Sequence, residues 1–176
     1  MKATDLLEKQ HRHVESVFKK LESGKSDAGP LLIDLSSSLA AHMTIEQEIF
    51  YPAVFAIKED LVAESYEEHA VAELALKRLL ATAPSDPYFR ARVTTLKELI
   101  EHHVGEEEDD LFPQVSKKLE PDVLLEMGKR MKARFDEVFA AGFEAAVPKG
   151  MGKTSSDVSR PRSKTKAQSN GKSARA

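Results

Sequence analysis

Apolar residues recur along this chain at helical spacing, and histidines stand inside the apolar stripes. Leu7, His11, Val14, Phe18 and Leu21 follow one another at steps of four and three, the signature of a single buried helix face. They predict a first helix from Thr4 to Leu21, capped by Thr4 or Asp5. The polar run from Glu22 to Pro30 breaks the pattern, and Pro30 suits the first turn of a second helix. There Leu35, Leu39, His42, Glu46 and Ile49 share a face, and Pro52 should kink or end the helix, since proline withholds a backbone donor. A third helix capped by Asp60 carries Val62, Tyr66, His69, Glu73, Leu76 and Leu80. After Pro84-Ser-Asp-Pro87, with Asp86 as cap and Pro87 at the first helical position, a fourth carries Leu96, Ile100, His103 and Glu107 until Pro113 interrupts it. Leu124, Met127, Met131, Phe135 and Val138 mark a fifth helix ending near Ala146, without a histidine. From Pro148 to Ala176 there is no aromatic and almost no aliphatic residue, too little to offset the entropy of ordering.

The expected fold class is therefore all-α. Four stripes joined by short loops read as an antiparallel up-down-up-down four-helix bundle, with an additional C-terminal amphipathic helix and a disordered basic tail. The bundle and fifth helix occupy residues 1–146, and the tail residues 147–176. The fifth helix should pack on the outside of the bundle or mediate a homo-oligomer.

Charge separates these two parts. From Pro148 onward eight Lys or Arg face one acid, leaving 18 basic and 28 acidic residues before it. An acidic body repels nucleic acid and anionic lipid, so only weak nucleic-acid contact through the tail is expected. Cysteine is absent, which removes disulfides and thiolate metal sites. No apolar run approaches a membrane span, and Met1-Lys-Ala-Thr-Asp does not open a signal peptide; the expectation is a soluble, cytoplasmic protein.

The second and fourth stripes contain the same phrase. His42-x-x-x-Glu46 runs on to Tyr51-Pro52, and His103-x-x-x-Glu107 to Phe112-Pro113, at an offset of 61 residues. A step of four on a helix turns about 400° and advances about 6 Å, so each His–Glu pair lies on one face. A lone histidine on an apolar face is ordinarily a satisfied core residue. Four such histidines, two with a glutamate at the same offset, are a different matter. Burying two carboxylates costs several kcal/mol each unless something positive compensates them, and the basic residue nearest the stripes, Arg78, is two turns from its histidine. Metal answers the need: four imidazoles and two carboxylates can hold two divalent ions, each glutamate able to bridge them. Thiolate-free, histidine-rich ligands with open positions favour redox-active iron, with Mn or Zn ranking behind it.

These blocks, together with Gln10-His11 and Glu68-His69, resemble the hemerythrin-like (HHE cation-binding) family over roughly Met1 to Leu119. The resemblance implies an antiparallel four-helix bundle around a non-haem di-iron centre. It makes His11, His42, His69 and His103 terminal metal ligands and Glu46 and Glu107 bridges. Oxygen-carrying hemerythrins have a fifth histidine one turn after the third-helix ligand. Here that position is Glu73, which weakens reversible oxygen carriage and opens a coordination position.

Neighbouring residues sort by register. His102 and His13 fall off the ligand faces, Glu15 reads as a solvated flank, and Glu73 stands evenly between ligand and support. Tyr51, Phe50, Phe112 and Tyr66 read as packing groups. The leading expectation is a di-iron protein that binds O2, NO or peroxide at an open site, in sensing, storage or stress protection. Its rivals are a di-iron enzyme decomposing peroxide or reducing oxygen, a repair protein for iron–sulfur clusters, and a metal-free helical interaction module. Repair proteins of that kind carry an extra cysteine-bearing N-terminal region, which this chain does not show.

Overall fold

The computed structural model describes residues 1–143, and all its regular structure there is helical. Helix α1 spans Ala3–Ser23 and α2 Ala28–Ile45; α3 is the short Tyr51–Val54, and α4 runs over Glu59–Leu80. Helix α5 covers Phe89–Glu106, α6 Phe112–Lys118 and α7 Pro121–Ala141. The expectation of a disordered basic tail lies outside the described residues. Among the described residues no helix is long and apolar enough to cross a membrane.

Helix α1 packs on α2 and α5, α4 packs on α5, and α7 lies against α1 and α2. Helix starts differ from the expected caps by two or three residues. Helix α1 begins after Lys2, whose backbone N–H donates to the Asp5 carboxylate at 3.1 Å, so Asp5 serves from inside the first turn. Helix α4 starts at Glu59, with Asp60 in its first turn. Asp86 accepts from the Tyr88 N–H at 2.8 Å, and α5 starts only at Phe89, two residues beyond Pro87. Helix α7 ends at Ala141, where Gly142 takes a left-handed φ of 77° that side-chain-bearing residues avoid; the expected end near Ala146 lies outside the described residues. Phe143 then turns back into the core.

The prolines do not break their helices. Residues Glu46–Phe50 and Glu107–Leu111 form π-helical turns immediately before Tyr51-Pro52 and Phe112-Pro113. In each turn the N–H one residue before the proline reaches back five residues, Tyr51 to the Glu46 carbonyl and Phe112 to the Glu107 carbonyl. The extra residue absorbs the donor that proline lacks. At the first turn the Tyr66 hydroxyl donates to the Gln47 carbonyl at 3.1 Å, taking the place of a missing backbone donor.

Two apolar clusters fill the interior. One contains Val14, Phe18, Leu35, Leu39, Leu76, Leu96 and Ile100; the other contains Leu7, Ile45, Phe50, Tyr51, Tyr66, Leu111, Phe112 and Met131. Between them lies a buried polar layer of His11, His42, Glu46, His69, His103 and Glu107.

Candidate metal centre

Helices α1, α2, α4 and α5 each deliver one histidine into this layer because histidine replaces an apolar residue within the stripe: His11 from α1, His42 from α2, His69 from α4 and His103 from α5. The glutamates follow at the first residue of each π turn. All four histidines are at most 5 % exposed, and Glu46 and Glu107 are fully buried.

The Nε2 atoms converge. His11 Nε2 lies 3.2 Å from His42 Nε2, and His69 Nε2 lies 3.1 Å from His103 Nε2. Glu46 spans the two pairs, with Oε1 3.1 Å from His42 and Oε2 3.3 Å from His69. Glu107 Oε2 is 3.3 Å from His11 and 3.7 Å from His103. Two groups of possible ligands result, His11, His42, Glu46 and Glu107 on one side and Glu46, His69 and His103 on the other.

These short approaches are not ordinary ion pairs. Both oxygens of Glu46 and Oε2 of Glu107 are buried and make no aligned hydrogen bond, although imidazole nitrogens stand 3.1–3.3 Å away. Donors that approach one another without pointing at one another share a common target. Ligands bonded to one ion at about 2.1 Å lie roughly 3.0–3.5 Å apart, close to the separations here. The residues therefore fit a pair of metal ions.

Every Nδ1 has its own partner. His11 Nδ1 meets Glu108 Oε1 at 2.7 Å, His42 Nδ1 meets Gln10 Oε1 at 2.8 Å, and His103 Nδ1 meets Glu68 Oε2 at 2.7 Å. His69 Nδ1 faces the Gln47 side-chain amide at 3.1 Å. The oxygens of Glu108, Gln10 and Glu68 accept the Nδ1 proton of His11, His42 and His103 and leave Nε2 free to ligate, whereas the Gln47 amide nitrogen is a donor toward His69 Nδ1. Arg12 in turn pairs with Glu108.

Charge in the metal-free layer is shared unequally. Burial pushes the Glu46 carboxyl up, but His42 and His69 outweigh it and hold it well below the usual carboxylate range. Burial also works against a charged His103, yet Glu107 and Glu68 raise it to about 9. His69 is lowered by burial and by neighbouring His103, despite Glu46. One proton thus resides on the His103 side of the His69–His103 pair. His11 is raised, the pull of Glu107 and Glu46 exceeding the effect of burial.

Tyr51, read from sequence as packing, belongs to this layer. Its hydroxyl donates to Glu107 Oε1 at 2.9 Å and lies 3.3 Å and 3.4 Å from Nε2 of His69 and His103. Burial and the Glu107 carboxylate push its pKa well up, so it keeps its proton. The π turn explains its position. On an α-helix a residue five after Glu46 points about 140° away; the i to i+5 turn brings it round beneath the glutamate. Phe112 holds the equivalent place after Glu107 and stacks on the His11 ring at 6.0 Å. Phe50 and Tyr66 are packing groups as expected.

The remaining sequence candidates lie outside the layer. Glu73 pairs with Lys77 at 2.6 Å and Glu15 with Arg12 at 3.0 Å. His13 meets Asp34 at 2.9 Å on the surface, and the His102 side chain is 65 % exposed. Beside the four histidines is a cavity of about 10 Å³ walled by Val14, Leu39, Met43, Ile100 and Val104. That is room for about one water-sized molecule.

Comparison with known proteins agrees with this geometry. The model for "Hemerythrin HHE cation binding domain" matches residues 2–115. A DNA nickase of Nostoc sp. is 27 % identical over 139 residues, covering 76 % of this chain. The chain spans only 39 % of the length of that relative. The uncharacterised protein Rv2633c of Mycobacterium tuberculosis is 26 % identical over 142 residues, 78 % of this chain and 88 % of that protein. A crystal structure of the Mycobacterium kansasii Rv2633c homologue, described as a hemerythrin HHE cation-binding domain-containing protein, superposes with a TM-score of 0.71. It is 26 % identical and covers 80 % of this chain and 89 % of that one. With four histidines and two glutamates gathered between its helices, and a family match over most of its length, this chain belongs to the hemerythrin HHE cation-binding family.

Proposed function

We propose that this protein holds two non-haem iron ions and binds O2, NO or peroxide at an open iron position, in sensing, storage or stress protection. In this reading α1, α2, α4 and α5 form an antiparallel up-down-up-down bundle around the ions. His11 and His42 serve one ion, His69 and His103 the other, and Glu46 and Glu107 bridge them. The observation that carries it is the set of buried carboxylate oxygens on Glu46 and Glu107 without hydrogen-bond partners, faced by four imidazole nitrogens. A thiolate-free set of imidazole and carboxylate donors that leaves positions open favours iron, with Mn or Zn behind it. When bound, the iron pair supplies electrons and open positions to a small oxygen- or nitrogen-containing ligand.

The protein's own residues select that ligand. Apolar walls and a volume of about 10 Å³ favour a diatomic molecule over any larger substrate. Tyr51 comes from the opposite apolar cluster and holds a proton on its hydroxyl beside Glu107. That buried donor, together with Glu73 where a fifth histidine would stand, favours a second reading, an enzyme that decomposes peroxide or reduces oxygen. Metal analysis of untagged protein should find two irons per chain, with an optical spectrum that changes on adding oxygen, NO or peroxide. Fewer than about one transition metal per chain rejects the proposal. Steady oxygen evolution from peroxide, lost in His42→Ala, selects the enzyme.

A further inference from the structure

Helix α5 writes the His-x-x-x-Glu spacing twice, one residue apart: His103 with Glu107, and His102 with Glu106. One residue is about 100° around a helix, so the second pair leaves the buried layer and faces Glu68 of α4. His102 Nε2 lies 3.6 Å from Glu68 Oε1 and 3.7 Å from Glu106 Oε1. One donor atom from each of the three residues falls within 4.8 Å of the others.

Several features set this cluster apart from a solvated acidic face. Glu68 is held in place, because its Oε2 accepts from His103 Nδ1 at 2.7 Å while Oε1 turns toward His102. Glu106 Oε2 is shielded from solvent and has no hydrogen-bond partner among the described residues. An imidazole also completes the set, and a mixed nitrogen and oxygen set suits a transition-metal ion better than Mg2+ or Ca2+.

We propose that Glu68, His102 and Glu106 form a separate, surface-facing site for a divalent transition-metal ion such as Mn2+ or Zn2+. Donors around such an ion stand about 3.0–3.5 Å apart; His102 Nε2 stands 3.6 Å and 3.7 Å from the two carboxylates, and its exposed side chain can rotate to close those two gaps. Three protein ligands leave further positions to water, so the ion exchanges readily. The site shares Glu68 with the hydrogen bond that holds His103, but none of its three ligands belongs to the buried set.

The test uses the full chain with its buried centre loaded and its metal content measured, then titrated with Mn2+ while free Mn2+ is followed by electron paramagnetic resonance. One additional Mn2+ per chain is expected. It should be lost in His102→Ala and weakened at least tenfold in Glu106→Gln, with helical circular dichroism and buried metal content unchanged. Absence of an additional Mn2+ at millimolar concentration overturns the proposal, as does binding undiminished in both variants. A chain whose buried centre stays empty while a His102-dependent Mn2+ binds would sink the di-iron reading and uphold this one.

Discussion

Glu46→Gln tests the centre with almost no change in shape. Glu46 offers Oε1 toward His42 and Oε2 toward His69; glutamine offers one oxygen and, in place of the other, an N–H2 group that repels a cation. One side of the pair therefore loses its carboxylate ligand outright, and the other keeps a weaker neutral one. Metal content should fall from two ions per chain to one or none. Stability gives a second readout. At a metal concentration a hundredfold above Kd, each bound ion stabilises the native state by about 2.7 kcal/mol. Two ions then contribute about 5 kcal/mol, and at about 2–4 °C per kcal/mol for a chain of this size the wild-type Tm rises roughly 10–20 °C. The variant should show at most half that rise, its metal-free circular dichroism remaining helical. Metal analysis and thermal melts with and without added iron decide the matter. Two metals per chain in the variant, or a wild-type Tm indifferent to metal, would refute the bridging role.

Three other outcomes follow from the same geometry. Tyr51→Phe should lower the Tm of the metal-free protein by an amount corresponding to about 1–3 kcal/mol, because Glu107 Oε1 loses a buried donor; an unchanged Tm in a thermal melt would remove Tyr51 from the layer. Gly128→Ala should destabilise by about 1–3 kcal/mol as well. A Cβ there would collide with the Met1 carbonyl oxygen and stand 2.9 Å from the Lys2 carbonyl carbon, and denaturant unfolding measures the loss. Metal affinity should rise with pH between neutrality and about 9, by up to tenfold per unit, since His103 gives up a proton held to about 9 in the metal-free chain. The sign for folding is the opposite: the raised His103 contributes stability that is complete below its ordinary 6.5 and lost as pH rises through about 9. Chelator competition at several pH values checks the first statement and pH-dependent melts of metal-free protein the second.

Much of the site was legible because it is written in local periodicity. His42–Glu46 and His103–Glu107 lie on one face by helix geometry alone, and histidines within apolar stripes had to meet wherever those stripes met. The same register argument placed His13 and His102 on the surface, as found. Glu73 reads evenly between ligand and support, and in this structure it pairs with Lys77 on its own helix. Tyr51 packs in the apolar core as its sequence position suggests, and the π turn before Pro52 additionally brings its hydroxyl onto Glu107. The starts of α1, α4 and α5 lie a few residues from the expected caps, since caps are chosen among several polar residues by loop geometry.

The sequence by itself determined the helices, their buried faces, and the identity and spacing of the His and Glu residues, because each depends on neighbours within about one helical turn. Tertiary structure decided which nitrogen of each histidine faces inward. Gln10 on α1 sets His42 on α2, Glu68 on α4 sets His103 on α5, and Glu108 sets His11 across 97 residues. It also decided the size of the cavity and the reach of the Tyr51 hydroxyl. Those are distances between helices, and no spacing within a single helix encodes them.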